Sequence, residues 1–301
     1  MALRFEKATK KAKHLKCLFF GDSGTRKTVG ALSFPRPAVI DTENGTDLYQ
    51  DKFMFDVVNA NDISAVEELL AFIERDNGKT YDTLVIDSLT VLVDVLRGAM
   101  EKKAKNGEMG YREHGAVNRR MKALYGRLMN LPVHVVATAH EAIQYEGAGN
   151  SLRKAGVKPD ADKSIAYAFD FVINTQRNGK GVVWKGRGSK ELEEGKVVSG
   201  VTWELFKDIA KSNATGEAVK ALNDEEAIAN EAARIAAAED LTAAKNAMIA
   251  ELVASELFED VNAIGAAVSV LKKDNPALSF EADPVGFKAA LVEYAQGQKA
   301  A

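Results

Sequence analysis

Residues 21–28 read GDSGTRKT. Seven of these eight positions fit G-x-x-x-x-G-K-[ST], a loop whose backbone N–H groups curl around phosphate. The eighth does not: Arg26 stands where the second glycine belongs. The flanks suit such a loop. LKCLFF (15–20) is a nearly continuous apolar run of the kind a buried parallel strand needs. TVGALSF (28–34) then carries apolar residues at helical spacing as far as Pro35 and Pro37. Strand, glycine-containing turn and helix are the context this loop requires.

The candidate phosphate-binding residues are therefore Gly21, Asp22, Ser23, Gly24, Thr25, Arg26, Lys27 and Thr28. The amides of 23–28 would face a β-phosphate, and the helix N-terminus adds a favourable dipole. Lys27 reaches the β- and γ-phosphates, and Thr28 offers a hydroxyl to Mg²⁺. Glycine at position 26 would permit a backbone geometry and a close approach that a Cβ obstructs. Two outcomes are open: the loop stays intact with the Arg26 side chain pointing out to solvent or toward the phosphates, or the loop is dead. A chance glycine turn ahead of a helix is the third reading.

The rest of the chain alternates in the same way. PAVIDTENG (37–45), TLVIDS (83–88) and VHVVATAH (133–140) read as short buried strands that end in polar residues. SAVEELLAFIERDNG (64–78) is an amphipathic helix: Val66, Leu69, Leu70 and Ile73 share a face, and Asn77-Gly78 ends it. Helices are expected over LTVLVDVLRGAMEKKAK and over 112–131. FDFVINTQ (169–176) and GVVWKGRG (181–188) read as strands joined by the Asn178-Gly179 turn. Alternation of this kind implies an α/β fold with a mainly parallel sheet flanked by helices and a ligand at the carboxyl ends of the strands. The expected core spans 1–214. From 215 to 301 the chain is rich in Ala, Glu and Leu without strand signals, so a small acidic α-helical domain is expected there.

Composition narrows the setting. The 301 residues carry 28% charged and 46% hydrophobic side chains, normal for a globular chain. The start is basic with no apolar stretch of a signal peptide, and no run approaches the roughly 20 residues a membrane helix needs. One cysteine and four histidines argue against a disulfide framework or a structural zinc site. An intracellular protein with no membrane partner is expected. The net charge of −3 conceals an asymmetry: beyond residue 215 acids outnumber bases about two to one, leaving the core net positive.

Three companions of the loop carry chemistry. Asp87 ends TLVID, a β-branched and apolar run followed by a carboxylate, which is the second nucleotide motif and serves Mg²⁺. It could instead cap the next helix. Strand AVID delivers Asp41 and Glu43; a carboxylate beside a γ-phosphate can orient and deprotonate water, or Glu43 simply opens the DTENGTD turn. Thr138 and His140 end the fourth strand, where a polar side chain could report the γ-phosphate, or His140 is a satisfied strand-end histidine. Lys185 and Arg187 alternate with Trp184 and Gly186, so both cations leave one strand face, either toward a neighbouring subunit's phosphates or as a solvated edge.

In this order the pieces resemble the RecA-like P-loop NTPase core over roughly residues 14–208. The likeness is to the compact phage-encoded AAA-family ATPases of the single-strand-annealing recombinase type. The matching runs are GDSGTRKT, VIDTENGTD, TLVIDSLTVL, VVATAH and VVWKGRG. The resemblance implies ATP and Mg²⁺ as cofactors, Glu43 as catalytic base and Asp87 with Thr28 at the metal. It implies coupling of γ-phosphate to DNA through the residue at His140, where the family usually has Gln. It also implies Lys185 and Arg187 reaching the ATP of an adjacent protomer in a ring or filament. Such in-trans cations are worth about 10³–10⁵ in rate. The family's two single-stranded-DNA loops match roughly 102–120 and 141–165. The first offers Lys102, Lys103, Lys105, Arg112, Arg119 and Arg120. The second offers Arg153, Lys154 and Lys158, with Gln144 and Tyr145 among glycines. Solvated helix and loop faces are the alternative.

Three functions are compatible with these residues. One is an ATP-dependent single-stranded-DNA-binding protein for annealing, recombination or replication in the cytoplasm of a bacterium or phage-infected host. The second is a helicase- or loader-type motor that meets single-strand-binding or other replication proteins through its C-terminal region. The third is a scaffold with a degenerate loop.

Overall fold

The computed structural model describes residues 7–104, 107–147, 151–162, 164–215 and 224–300. The chain forms two compact units, Met1–Leu222 and Asn223–Ala301.

The first unit is a nine-stranded mixed sheet between two helical layers. Its strands are β1 (Lys16–Gly21), β2 (Pro37–Asp41), β3 (Asp56–Asn59), β4 (Thr83–Asp87) and β5 (His134–Glu146). They continue with β6 (Arg153–Pro159), β7 (Phe171–Thr175), β8 (Lys180–Gly186) and β9 (Val197–Ser199). The order is β3-β2-β4-β5-β1-β7-β8-β9, with β6 paired to β5 outside this path. Strands β3, β2, β4, β5, β1 and β7 run parallel. Pairs β7–β8, β8–β9 and β5–β6 are antiparallel.

Alternation of side chains across the strands divides the core in two. Leu18, Phe20, Ile40, Leu84, Ile86 and Val135 face α2 (Ile63–Asp76), α3 (Leu89–Lys103), α4 (Tyr111–Asn130) and α5 (Ile165–Ala168). Cys17, Phe19, Val39, Val85 and Ile173 face α1 (Lys27–Leu32) and α6 (Trp203–Asn213). Burial on both faces is why the parallel strands read as continuous apolar runs. Local signals set the helix ends. Asp62 accepts the Ala65 amide at 2.9 Å and starts α2, and Asn77 closes it in a left-handed turn with φ 51°.

The second unit holds α7 (Asp224–Ala254), α8 (Val261–Asp274) and α9 (Pro284–Ala300) around Met248, Leu252, Phe258, Ile264, Phe280, Phe287 and Leu291. Asp260 caps α8 by accepting the Ala263 amide at 2.8 Å. Among the described residues no helix is long and apolar enough to cross a membrane.

One expectation changes. The segment 141–165 is largely a hairpin: β5 continues past His140 to Glu146 and turns back as β6, with cross-strand pairs from Glu141–Pro159 to Glu146–Arg153. Glycines suggested a loop, but Gly156 sits inside the ladder at φ 156°, beside the irregularity between Gln144 and Tyr145. The region 102–120 holds the end of α3 and the start of α4, as the helices read from the sequence imply. Edge strands β3 and β9 lie beyond the strands read from the sequence, because short exposed runs carry no burial pattern.

At the amino ends of the strands, His134 Nδ1 accepts the Leu15 amide at 2.9 Å, and burial lowers the imidazole pKa to about 4. A depressed histidine is neutral when folded but binds a proton when unfolded. Stability should therefore fall as pH drops from about 6.5 toward 4, and denaturant midpoints should show a shallower fall in His134→Gln.

Candidate nucleotide site

Thr28 and Asp87 come together at the carboxyl ends of β1 and β4. Thr28 Oγ1 donates to Asp87 Oδ2 at 2.6 Å, and Thr138 Oγ1 donates to Asp87 Oδ1. The carboxyl group is 7% exposed. Burial raises its pKa, the two hydroxyls counter this, and Glu43 and Asp41 raise it further. A buried anion flanked by two more carboxylates is a place where a divalent cation relieves repulsion. Hydroxyl and carboxylate oxygens suit Mg²⁺, which takes few protein ligands and keeps oxygens from water and phosphate. Among the described residues no cluster of three or more His, Cys, Asp or Glu is assembled to hold a metal alone. The Thr28 hydroxyl and the Asp87 carboxylate are oxygen donors of the type Mg²⁺ takes beside water and phosphate.

The loop itself turns through two left-handed positions. Gly24 and Arg26 take left-handed backbone angles, φ 76° and φ 69°. For arginine this costs about 1–2 kcal/mol, which glycine at that position would avoid. The loop therefore keeps a glycine-type conformation without the glycine. Thr25 Oγ1 lies 2.8 Å from Thr175 Oγ1 on β7 and donates to Asp22 O, which pins the base of the loop. Gly21 has no room for a side chain: a Cβ would meet Thr175 O at 2.5 Å. Lys27 Nζ spans the loop, donating to Gly21 O and Asp22 O, both at 2.9 Å. Burial lowers its pKa, while Asp87, Glu43, Asp22 and Glu141 oppose the change. A phosphate would replace the two carbonyls as its partner.

Glu43 is placed by its neighbours. Asp41 is buried and accepts the Glu43 amide at 2.9 Å and both the amide and hydroxyl of Thr46, so it shapes the turn that carries Glu43. Glu43 Oε1 accepts from Ser88 Oγ and lies 2.8 Å from His140 Nε2. Among the described residues Oε2 has no partner, so one carboxylate oxygen is held and the other is open to water. The His140 amide donates to Thr90 Oγ1 at 2.9 Å, and that hydroxyl donates to Asp160 O at 2.7 Å. Thr90 thereby pins the root of the β5–β6 hairpin to the start of α3. Sequence reading missed Ser88 and Thr90 as site residues: a Ser or Thr opening a helix looks like a cap.

The AAA domain family model matches residues 13–191, from just before β1 to just past β8. The chain belongs to the AAA domain family. The crystal structure of the RadB recombinase is similar at 14% identity and a TM-score of 0.41, covering 70% of this chain and 93% of that one. No curated protein matches the chain.

Within this AAA domain Lys185 and Arg187 lie apart from the loop. Lys185 donates to the carbonyls of Ala166 and Tyr167 at 2.9 and 3.1 Å, and Arg187 pairs with Asp170 at 3.1 Å. Antiparallel β8 ends beside Phe171, the first residue of β7, so both cations sit at the amino ends of the parallel strands, opposite the loop. Arg120 pairs with Glu67 of α2 at 2.6 Å and is committed to a tie between helices. Lys102 and Lys103 close α3, and Arg112 and Arg119 lie exposed on α4. Arg153, Lys154 and Lys158 are exposed on β6, and Lys105 lies outside the described residues.

Two substitutions test this geometry. Because the fold raises the Asp87 pKa, its ionised form opposes folding above the unfolded value near 3.9. Asp87→Asn should thus stay within about 1 kcal/mol of the parent in denaturant unfolding at pH 7. Thr90→Val should cost about 1–2 kcal/mol. Hydrogen exchange should then speed up in 141–159 but not along the β1–β5 ladder.

Proposed function

We propose that this AAA domain binds and hydrolyses ATP with Mg²⁺ and, in doing so, controls binding of single-stranded DNA for annealing, recombination or replication. The observation that carries the nucleotide part is the meeting of Lys27, Thr28, Asp87, Glu43 and His140 at the ends of β1, β2, β4 and β5. Bound Mg²⁺ would neutralise charge on the β- and γ-phosphate oxygens. Lys27 and the loop amides hold the phosphates, with Thr28 and Asp87 as protein ligands of the cation. Glu43, steadied through Oε1, accepts a proton from water at Oε2. His140 bonds the same carboxylate, so movement of Glu43 toward water is felt at the first residue beyond the core part of β5.

The DNA part is supported by the hairpin continuous with His140. It carries Arg153, Lys154 and Lys158 on one strand and Tyr145, 56% exposed, on the other. Cations for phosphate with an aromatic ring for a base form a single-strand surface. Arg112 and Arg119 on α4 extend the candidate surface. Lys185 and Arg187, remote from the loop of their own chain, suit a role at a neighbour's nucleotide in a ring or filament. The acidic helical unit is the candidate contact for single-strand-binding or other replication proteins. Such work belongs in the cytoplasm of a bacterium or infected host.

A motor that works through a protein partner is the second reading, favoured by that separate acidic unit. Turnover stimulated by single strands alone supports the first reading, and stimulation only with a partner supports the second. Lys27→Ala should abolish turnover. Glu43→Gln should retain binding but lose turnover by at least 10²-fold, on the order of general-base losses. Double variants at Lys185 and Arg187 should regain turnover when mixed with Glu43→Gln; no rescue at any ratio rejects the trans role. DNA affinity should drop with salt through counterion release, and Arg153→Ala with Lys154→Ala should flatten that slope.

A further inference from the structure

The carboxylates that suit the cation lie on one side of the loop. Thr28 contacts Asp87 on β4, and Glu43 follows β2, both beyond β5 from β1. The other neighbour of β1 is β7, followed by β8. A nucleotide whose terminal phosphates face Asp87 has the β7–β8 side of the loop open to its base and ribose. A small cavity of about 90 Å³ opens there, lined in part by Arg26, Val29, Thr175, Gly179, Lys180 and Thr202.

Arg26 enters this space from the loop. Its backbone is left-handed, φ 69° and ψ 27°, and its side chain reaches to the β7–β8 turn. The Nη1 atom lies 3.7 Å from where a Cβ on Gly179 would stand. Among the described residues the guanidinium has no hydrogen-bond or ion-pair partner. Nearby Arg177 is committed to Asp22 at 2.7 Å, so the carboxylate closest to the loop is already taken. An unpaired, planar, weakly hydrated cation above a glycine turn is suited to stack on a flat aromatic ligand.

We propose that Arg26 contacts the nucleoside: its guanidinium forms one wall of the subsite for the base and ribose of a bound nucleotide and does not touch the phosphates. The inference rests on the nucleotide reading above and assigns a task to the residue that breaks the glycine pattern.

The test compares ligands that share phosphates but differ in the nucleoside. ATP, ADP and inorganic tripolyphosphate are titrated calorimetrically, with Mg²⁺, into the full chain and its Arg26→Asn and Arg26→Lys variants. Asparagine tolerates the left-handed conformation, so the loop keeps its shape while losing the guanidinium. Lysine keeps the charge without the plane. Thermal unfolding of each variant checks the fold. Arg26→Asn should weaken ATP and ADP about three- to thirtyfold and leave tripolyphosphate unchanged, with Arg26→Lys recovering only part of the loss. Equal losses for all three ligands would assign Arg26 to the phosphates and overturn the proposal. No change for any ligand would overturn it as well, leaving the nucleotide reading intact. If the parent chain binds neither ATP nor tripolyphosphate, the nucleotide reading itself fails, and the proposal with it.

Discussion

The Asp87 carboxylate is the constraint on which the site depends. It is buried at the end of a central strand, where an unpaired charge would be costly. Two hydroxyls satisfy it, one from the helix after the phosphate loop and one from the adjacent strand. Those bonds fix the loop against β4 and β5 without a ligand. They do not neutralise the charge, and Glu43 and Asp41 add to it. The site is thus held by hydrogen bonds yet electrostatically unresolved, which is why a cation accompanying phosphate is proposed to occupy it. The same carboxylate therefore ties the loop to the sheet and, when ionised, works against the fold that buries it.

From this centre a second set of bonds leads outward. Asp41 shapes the turn that holds Glu43, Ser88 and His140 share its Oε1, and Thr90 joins His140 to Asp160 at the root of the hairpin. Each step is a direct hydrogen bond between groups on different elements. The hairpin is anchored here, beside the atoms that would meet a γ-phosphate, while its basic residues lie farther along β6. Arg26 leaves the loop on the opposite flank, so its departure from glycine leaves this network untouched.

Much of this was legible in the residues. The central strands were readable because burial on both faces leaves unbroken apolar runs, and Gly21, Asp41, Asp87 and His140 mark their carboxyl ends. Helix α2 announced itself through its apolar stripe and Asn77. Other parts were hidden by their chemistry. Glycines and charges in 141–165 resemble a loop, yet backbone pairing between Glu141–Glu146 and Arg153–Pro159 makes a hairpin, and pairing leaves no mark on side-chain composition. Arg120 looked like a cation for DNA until α2 brought Glu67 beside it. Ser88 and Thr90 looked like ordinary helix-start residues.

Local periodicity and turn chemistry are enough to specify the alternation of strand and helix, the loop after β1 and the residue types at each strand end. Which ends meet is a matter of the folded sheet. Sheet order sets Asp87 beside Thr28 and Thr138 and sends Lys185 and Arg187 to the far end, because the antiparallel return of β8 reverses its direction. It also decided the direction of Arg26. A left-handed backbone can be suspected from a missing glycine, but only the fold brings the Arg26 side chain beside Gly179, more than 150 residues away. Local rules act over a few residues, and contacts across the sheet depend on all the strands between.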